Sequence, residues 1–120
     1  MTALGNNVHI FAQPHRRQEL AWCFEDVLGC SVATVERPGR TESILVVRFP
    51  DGGNLSIEFT DSAPDDSTPR LGAWLELRAE DPAAVMAVAV AAALMPVQHP
   101  GHPYYFMLPG GQVFTIVPMA

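Results

Sequence analysis

The chain has 120 residues, of which 48% are apolar, and its formal net charge is −6. This length and composition fit one globular domain with a packed core. All seven basic residues are arginine, which excludes Schiff-base chemistry on a lysine. The acidic balance argues against nucleic acid and anionic membranes as partners, since both bind clustered cations.

The first half of the chain predicts a strand, a helix and three further strands. Turn formers bound a strand at residues 7–13, and Pro14 opens a helical segment that runs to Leu28. Apolar residues recur at helical spacing from Leu20 onwards, and Gly29 is placed to end the helix in the left-handed conformation. Strands follow at residues 31–36, 43–49 and 55–60, separated by a loop at 37–40 and a hairpin turn at 50–54.

The second half repeats this order after an exposed connection at residues 61–70. Asp81 is placed to cap a helix at residues 82–95, with Pro82 at its first position. That helix spans only about 21 Å and is too short to cross a bilayer. Because it is apolar all round, we expect it to be buried on two sides. The predicted strands lie at residues 71–78, 97–99, 104–108 and 113–117, the last after a turn at 109–112.

The end of the chain lacks charge altogether. No Asp, Glu, Lys or Arg follows Asp81, so we expect this segment to be buried in a core, a subunit interface or a ligand cavity, and we expect a homodimer. Cys23 and Cys30 are the two cysteines, and we expect both to be reduced thiols. No basic region precedes an apolar run at the start of the chain, so a cytoplasmic location is predicted.

The two halves therefore share one plan, as paired βαβββ modules at about residues 7–60 and 71–118. We expect an α+β fold that forms a single domain over residues 1–120. In this fold the modules build a curved mixed sheet around a cavity, with the helices outside.

This plan and three local motifs resemble the vicinal oxygen chelate superfamily of glyoxalase I, extradiol dioxygenases, and fosfomycin and bleomycin resistance proteins. The most specific motif is the helix end Trp22–Cys30, with an aromatic residue followed by Leu-Gly and an apolar residue. A second is Leu75-Glu76-Leu77 leading into residues 80–85. The third is Leu108–Gln112, which lacks both acidic residues of the family's Asp-Pro-Asp-Gly-Asn.

The resemblance implies a cavity in which metal-using members carry one ligand on each of four strands. His9 stands at the first-strand position and Glu58 at the fourth-strand position. Gly72 replaces the fifth-strand histidine and Thr115 replaces the eighth-strand glutamate. Because dioxygenases and fosfomycin enzymes need these two ligands, we do not expect their activities here.

His9 and Glu58 are the candidate polar residues of this cavity. Each alternates with apolar neighbours, so each points away from them. Imidazole and carboxylate suit a divalent cation such as Zn, Ni, Mn or Fe, but two ligands are too few to hold it tightly. His9 is either a metal ligand, a hydrogen-bonding residue of the cavity or a structural histidine. Glu58 is either a general base, its pKa raised by burial, or a structural partner of His9 or of an arginine such as Arg48.

His99 and His102 have two interpretations. The two histidines could complete a cation site with His9 and Glu58, or they could belong to an exposed loop, since proline and glycine surround them.

Aromatic residues are the candidate apolar walls of the cavity. Trp74 alternates with Gly72 and Glu76, which leaves space beside a flat side chain, although filling of the core explains Trp74 equally well. Phe11 shares a strand face with His9. The further candidate ligand contacts are Ser56, Tyr104 and Tyr105.

These residues support three hypotheses about function. We expect binding of a small apolar or aromatic molecule without a tightly held metal and with no other cofactor. The alternative is a metal-dependent lyase or isomerase of glyoxalase I type, in which Glu58 removes a proton next to a carbonyl. The third is an interaction module whose cavity is collapsed.

Overall fold

The computed structural model describes residues 1–119 and shows an α+β fold of two compact units. The first unit is Met1–Pro64 and the second begins at Asp65. Each unit follows the order strand, helical segment, three strands, and each has one four-stranded mixed sheet. The predicted βαβββ plan is therefore confirmed in both halves.

The first sheet has the strand order β1-β4-β3-β2. β1 runs parallel to β4, and the other neighbours are antiparallel. The predicted strands are confirmed to within one residue or two at their ends. Their bounds are β1 (Asn7–Ala12), β2 (Ser31–Val35), β3 (Ile44–Arg48) and β4 (Asn54–Phe59).

The helical segment of the first unit has the predicted extent but is not one regular α-helix. It consists of a 3₁₀ turn (Pro14–Arg16), helix α1 (Arg17–Trp22) and a π-helical turn (Cys23–Val27). Leu28 donates its N–H to the carbonyl of Cys23, five residues earlier, at 3.0 Å. Leu20, Cys23 and Phe24 are all buried, so the wider turn keeps them on the side of the segment that faces the core. Gly29 ends the segment with a φ of 73°, as predicted.

The core of the first unit lies on one side of its sheet. Leu55, Ile57 and Phe59 alternate along β4 and are buried. The Arg17 guanidinium lies 4.3 Å above the Phe59 ring, which shows that the helical segment covers this side. The opposite side carries His9, Phe11, Ser56 and Glu58, and we call these four residues the His9 face.

The second sheet has the strand order β5-β8-β7-β6, with β5 and β8 parallel. Phe106 and Phe114 are buried and stack at 6.0 Å between ring centroids, which places the main core of this unit on their side. The bounds are β5 (Leu75–Ala79), β6 (Met95–Pro96), β7 (Tyr105–Met107) and β8 (Val113–Pro118), with helix α2 at Pro82–Ala91. The strand predicted at 71–78 begins four residues later, at Leu75. The strand predicted at 97–99 begins two residues earlier, as Met95–Pro96.

Helix α2 begins as predicted but ends earlier. The Asp81 side chain accepts a hydrogen bond from the Ala84 N–H at 3.2 Å, which is the predicted cap. At the other end Ala93 takes a φ of 67°, and Leu94 donates its N–H to the Ala89 carbonyl at 3.0 Å. This is a Schellman ending with alanine in the position that glycine usually occupies. The sequence offered no glycine as a stop signal, so the prediction ran on to the proline at 96.

Helix α2 is buried on one side and exposed on the other. Only Met86 and Ala89 of α2 are buried, whereas Val88 and Val90 are half-exposed. The predicted burial on two sides is therefore wrong within a single chain. Cys23 and Cys30 are free thiols, as predicted, and both are buried. Within residues 1–119, no helix has both the length and the apolar character needed to cross a membrane.

Candidate functional site

The centre of the His9 face is a hydrogen-bonded pair of side chains. The parallel register places His9 beside Ser56 and Phe11 beside Glu58. His9 Nδ1 lies 2.6 Å from the Ser56 hydroxyl, and His9 Nε2 lies 3.0 Å from Glu58 Oε1. An ionised carboxylate only accepts hydrogen bonds, so Nε2 carries the proton. The two predicted polar residues are thus brought together, with Ser56 holding the imidazole ring from its other side.

Two arginines that the sequence did not single out also reach Glu58. Arg37 Nη1 donates to Glu58 Oε1 at 3.3 Å, and Arg40 Nη1 lies 3.8 Å from Oε2. Both belong to the segment between β2 and β3. The sequence named Arg48 instead, and that suggestion is wrong because Arg48 Nε donates to the Asn54 side chain. The sequence does show two arginines in the short loop Arg-Pro-Gly-Arg. Strand alternation could not predict where their side chains point, because the loop is not a strand.

This environment sets the charge of Glu58. The hydrogen bond from His9 lowers the pKa of Glu58 most, burial acts in the opposite direction, and Arg37 and Arg40 lower it further. The expectation that burial would raise this pKa is therefore wrong, because the donors outweigh desolvation. With 18% of its side chain exposed, Glu58 is an ionised acceptor for two donors, His9 and Arg37, rather than a basic carboxylate.

An aromatic surface adjoins this polar centre. The Phe11 ring meets the His9 ring edge to face, with 5.1 Å between centroids and an interplanar angle of 83°. Phe11 is 45% exposed, which is high for so large an apolar side chain. Val46 on β3 is the register partner of Ser56 on β4, and its side chain is partly buried. The His9 face therefore offers hydrogen-bonding groups and apolar contact area side by side.

The second unit carries an aromatic cluster of its own. Trp74 contacts the rings of His99 and Tyr105, each at 5.5 Å between centroids, and these two rings lie 5.0 Å apart. Trp74 Nε1 donates to the Arg70 carbonyl at 2.8 Å. Trp74 and Tyr105 pack on a small buried group of Val97, Met107 and Val113. Trp74 precedes β5 rather than lying within it, and Tyr105 rather than Tyr104 is the tyrosine of this cluster.

The loop histidines belong to the same cluster. His99 and His102 are exposed, and their rings stack at 5.2 Å with an angle of 29°. The interpretation of an exposed loop is therefore confirmed. Within residues 1–119, no three or more His, Cys, Asp or Glu side chains are grouped so as to hold a metal ion.

Comparison with solved structures identifies the fold. TnmS3, an antibiotic binding protein from Streptomyces sp. CB03234, has a TM-score of 0.69 and 16% identity, over 99% of this chain and 98% of its own. A glyoxalase/dioxygenase from Nostoc punctiforme has a TM-score of 0.70 and 17% identity, over 98% and 97%. Glyoxalase I of Leishmania major has a TM-score of 0.73 and 10% identity, over 98% and 87%. This chain has the vicinal oxygen chelate fold.

The resemblance read from the sequence is thus confirmed at the level of the fold. No family model matches the sequence, and no curated protein matches it either. With identities of 10–17% to these neighbours, activity has to be argued from the residues themselves.

The residues of this chain do not fit the divalent metal that the vicinal oxygen chelate fold often holds. Glu58 Oε1 already accepts hydrogen bonds from His9 and Arg37, and two guanidinium charges beside it would repel a cation. The two positions at which the resemblance implies further metal ligands carry none of the expected groups. Gly72, before β5, has no side chain, and Thr115, on β8, replaces the glutamate.

One carboxylate of the second unit stands near the Thr115 position. Glu76 is exposed and lies opposite Thr115 in the strand register.

Proposed function

We propose that the protein binds a small apolar or aromatic molecule at the His9 face, without a tightly held metal. The observation that carries this proposal is the adjacency of an ionised, hydrogen-bonded Glu58 and a half-exposed Phe11 on the side of the sheet that the helical segment leaves uncovered. Such a mixture of flat apolar area and a few fixed polar groups is typical of ligand sites. The antibiotic-binding neighbour of the same fold supports a binding role.

Trp74 and Tyr105 form a second aromatic surface in the C-terminal unit. Their role as ligand contacts stays a prediction, and it is strengthened for Tyr105, whose ring lies in the cluster. The absence of Tyr104 from the ring contacts of residues 1–119 makes it the weaker of the two predicted tyrosines.

Binding is better supported than a glyoxalase-type lyase or isomerase reaction. A general base works best with a pKa near the working pH, but the donors around Glu58 move its pKa downwards. The enediolate of that reaction also needs a positive electrophile, which a metal supplies in the alternative hypothesis. The ligand set described above does not fit such a metal.

A ligand screen by thermal shift tests the proposal. A compound at 100 times its Kd should stabilise the protein by about 2.7 kcal/mol. Phe11→Ala should abolish most of that shift, whereas Trp22→Ala should not. Trp22 is a matched control because it is also 45% exposed but lies on α1. Equal shifts in both variants would exclude the His9 face as the binding site.

Metal analysis of protein purified without chelator tests the second part of the proposal. Titration with zinc or nickel should give no stoichiometric tight binding, and Glu58→Ala should behave like wild type. Glu25→Ala, which removes an exposed carboxylate from the helical segment, controls for nonspecific surface binding. Tight binding that only Glu58→Ala abolishes would overturn the metal-free interpretation.

We also propose a homodimer that buries the exposed side of α2. Val88 and Val90 are half-exposed there, and no charged residue follows Asp81 to compete with apolar contact. Light scattering should give twice the chain mass for wild type and the chain mass for Val88→Glu. A dimer that persists in Val88→Glu would place the interface elsewhere.

A further inference from the structure

We infer that the small molecule bound at the His9 face carries a carboxylate, and that Arg37 and Arg40 bind it. The inference rests on the proposed function and adds the charge of the ligand. It follows from the balance of charge and of hydrogen-bond donors around Glu58.

The charges of Glu58 and of the two arginines in contact with it sum to a positive value. Glu58 contributes one negative charge, while Arg37 and Arg40 contribute two positive charges at 3.3 and 3.8 Å from its oxygens. Arginine stays protonated at any working pH. The chain as a whole has a net charge of −6, so this excess is opposite in sign to the rest of the protein. It favours an anion over a neutral or cationic ligand.

The donor balance leads to the same conclusion. A guanidinium has five N–H donors, and Arg37 uses one of them on Glu58. Its Nε is buried with no acceptor among the described residues. Buried donors without acceptors are rare and often mark a place where an ion or a polar group binds. Arg37 is therefore held beside Glu58 with most of its hydrogen-bonding capacity unused.

Arg40 supplies a second cation with similar spare capacity. Its side chain is 61% exposed, and its contact with Glu58, at 3.8 Å, is longer than a hydrogen bond. A guanidinium that contacts one carboxylate can bind a second carboxylate with its remaining donors, since it presents them as a flat fork. Glu58 is then a positioning residue that orients the two arginines.

The apolar half of the ligand follows from Phe11. Phe11 is the register neighbour of Glu58 on the parallel strand, and its ring is half-exposed next to His9. A molecule that contacts both groups needs a flat apolar body with the carboxylate attached directly to it or close by. An aromatic carboxylate meets both requirements.

Benzoate and benzamide are a matched pair of probes, because they share shape and differ in charge. In NMR titrations of the full chain at constant ionic strength, we expect benzoate to bind at least about tenfold more tightly than benzamide. The amide resonances that shift should belong to β1, β4 and residues 37–40. Equal affinity for the two probes would overturn the inference.

Variants assign the preference to the two arginines. Arg37→Gln should weaken benzoate about tenfold and leave benzamide unchanged, and Arg40→Gln, at an exposed position, should weaken benzoate roughly threefold. Arg16→Gln makes the same change of charge at a residue paired with Glu19 and should alter neither probe. Unchanged benzoate affinity in both Arg37→Gln and Arg40→Gln would refute the assignment.

The outcomes separate the two proposals. Benzamide binding to the His9 face without any preference for benzoate leaves the proposed function standing and overturns the carboxylate. If neither probe binds there, both proposals fail for aromatic ligands. If Arg37→Gln does not fold, the comparison of probes on wild type and on Arg40→Gln still decides.

Discussion

The turn between β7 and β8 gives the sharpest prediction of stability. Gly111 has a φ of +102°, a conformation that residues with a side chain rarely adopt. A Cβ added there would lie 2.8 Å from the carbonyl oxygen of Thr68 and 3.4 Å from that of Asp66. The backbone cannot easily move aside, because Arg70 donates its N–H to the Gly111 carbonyl at 2.8 Å.

Gly111→Ala should therefore cost two separate amounts of folding free energy. Placing an L-residue at positive φ costs about 1–2 kcal/mol, and forcing an extra carbon into packed backbone costs about 1–3 kcal/mol. Gly101→Ala provides the control, since Gly101 has a φ of +78° but no atom within 4 Å of its added Cβ. The control should lose only the first amount, and any effect on the unfolded chain is common to both variants.

Urea unfolding followed by circular dichroism measures the difference between these two variants. We expect Gly111→Ala to be less stable than Gly101→Ala by about 1–3 kcal/mol, with a correspondingly lower Tm. Equal loss of stability in the two variants would show that the contact with Thr68 relaxes without cost, and would refute the argument from packing.

Three further outcomes can be measured on the same preparations. Ala93→Gly should stabilise the protein by about 1 kcal/mol in urea unfolding, because glycine removes the strain of a φ of 67° at the end of α2; destabilisation would contradict this. Burial raises the pKa of Cys23 and of Cys30 from 9.0 to about 11. The thiols of the native protein should therefore react slowly with iodoacetamide at pH 8. The free energy of unfolding should also decline as the pH rises from 9 towards 11. Fast alkylation of the native protein at pH 8 would show that the thiols are accessible. The pKa of Glu58 lies below its ordinary 4.5. Its contribution to stability should therefore be complete above pH 4.5 and disappear as the pH falls below that value. Glu58→Gln should lose this dependence on pH.

The fold could be predicted from the sequence because its signals are local. Alternation of apolar residues along β4 and the Gly-containing turns place the strands within a residue or two. The errors fall where no local signal exists. Nothing in the sequence marks Ala93 as a left-handed residue, and the residues just before Leu75 continue its apolar character although, among residues 1–119, no strand pairs with them.

Half of the candidate site could be predicted in the same way. Strand parity placed His9, Phe11 and Glu58 on one face, and the parallel pairing of β1 with β4 brings them into contact. The arginines could not be predicted, because a loop has no parity and its side chains are placed by the strands on either side of it. The shift in the pKa of Glu58 depends on the His9 hydrogen bond and, to a smaller extent, on those arginines, so the prediction from burial alone had the wrong sign.

Arg37 and Arg40 change what the His9 face can recognise. A histidine and a carboxylate alone resemble the remnant of a metal site, and they would attract a cation. Arg37 and Arg40 reverse the sign of the local charge while leaving the fold of the strands untouched. The identity of the loop at residues 37–40, more than that of the strands, should therefore decide which ligands this protein selects.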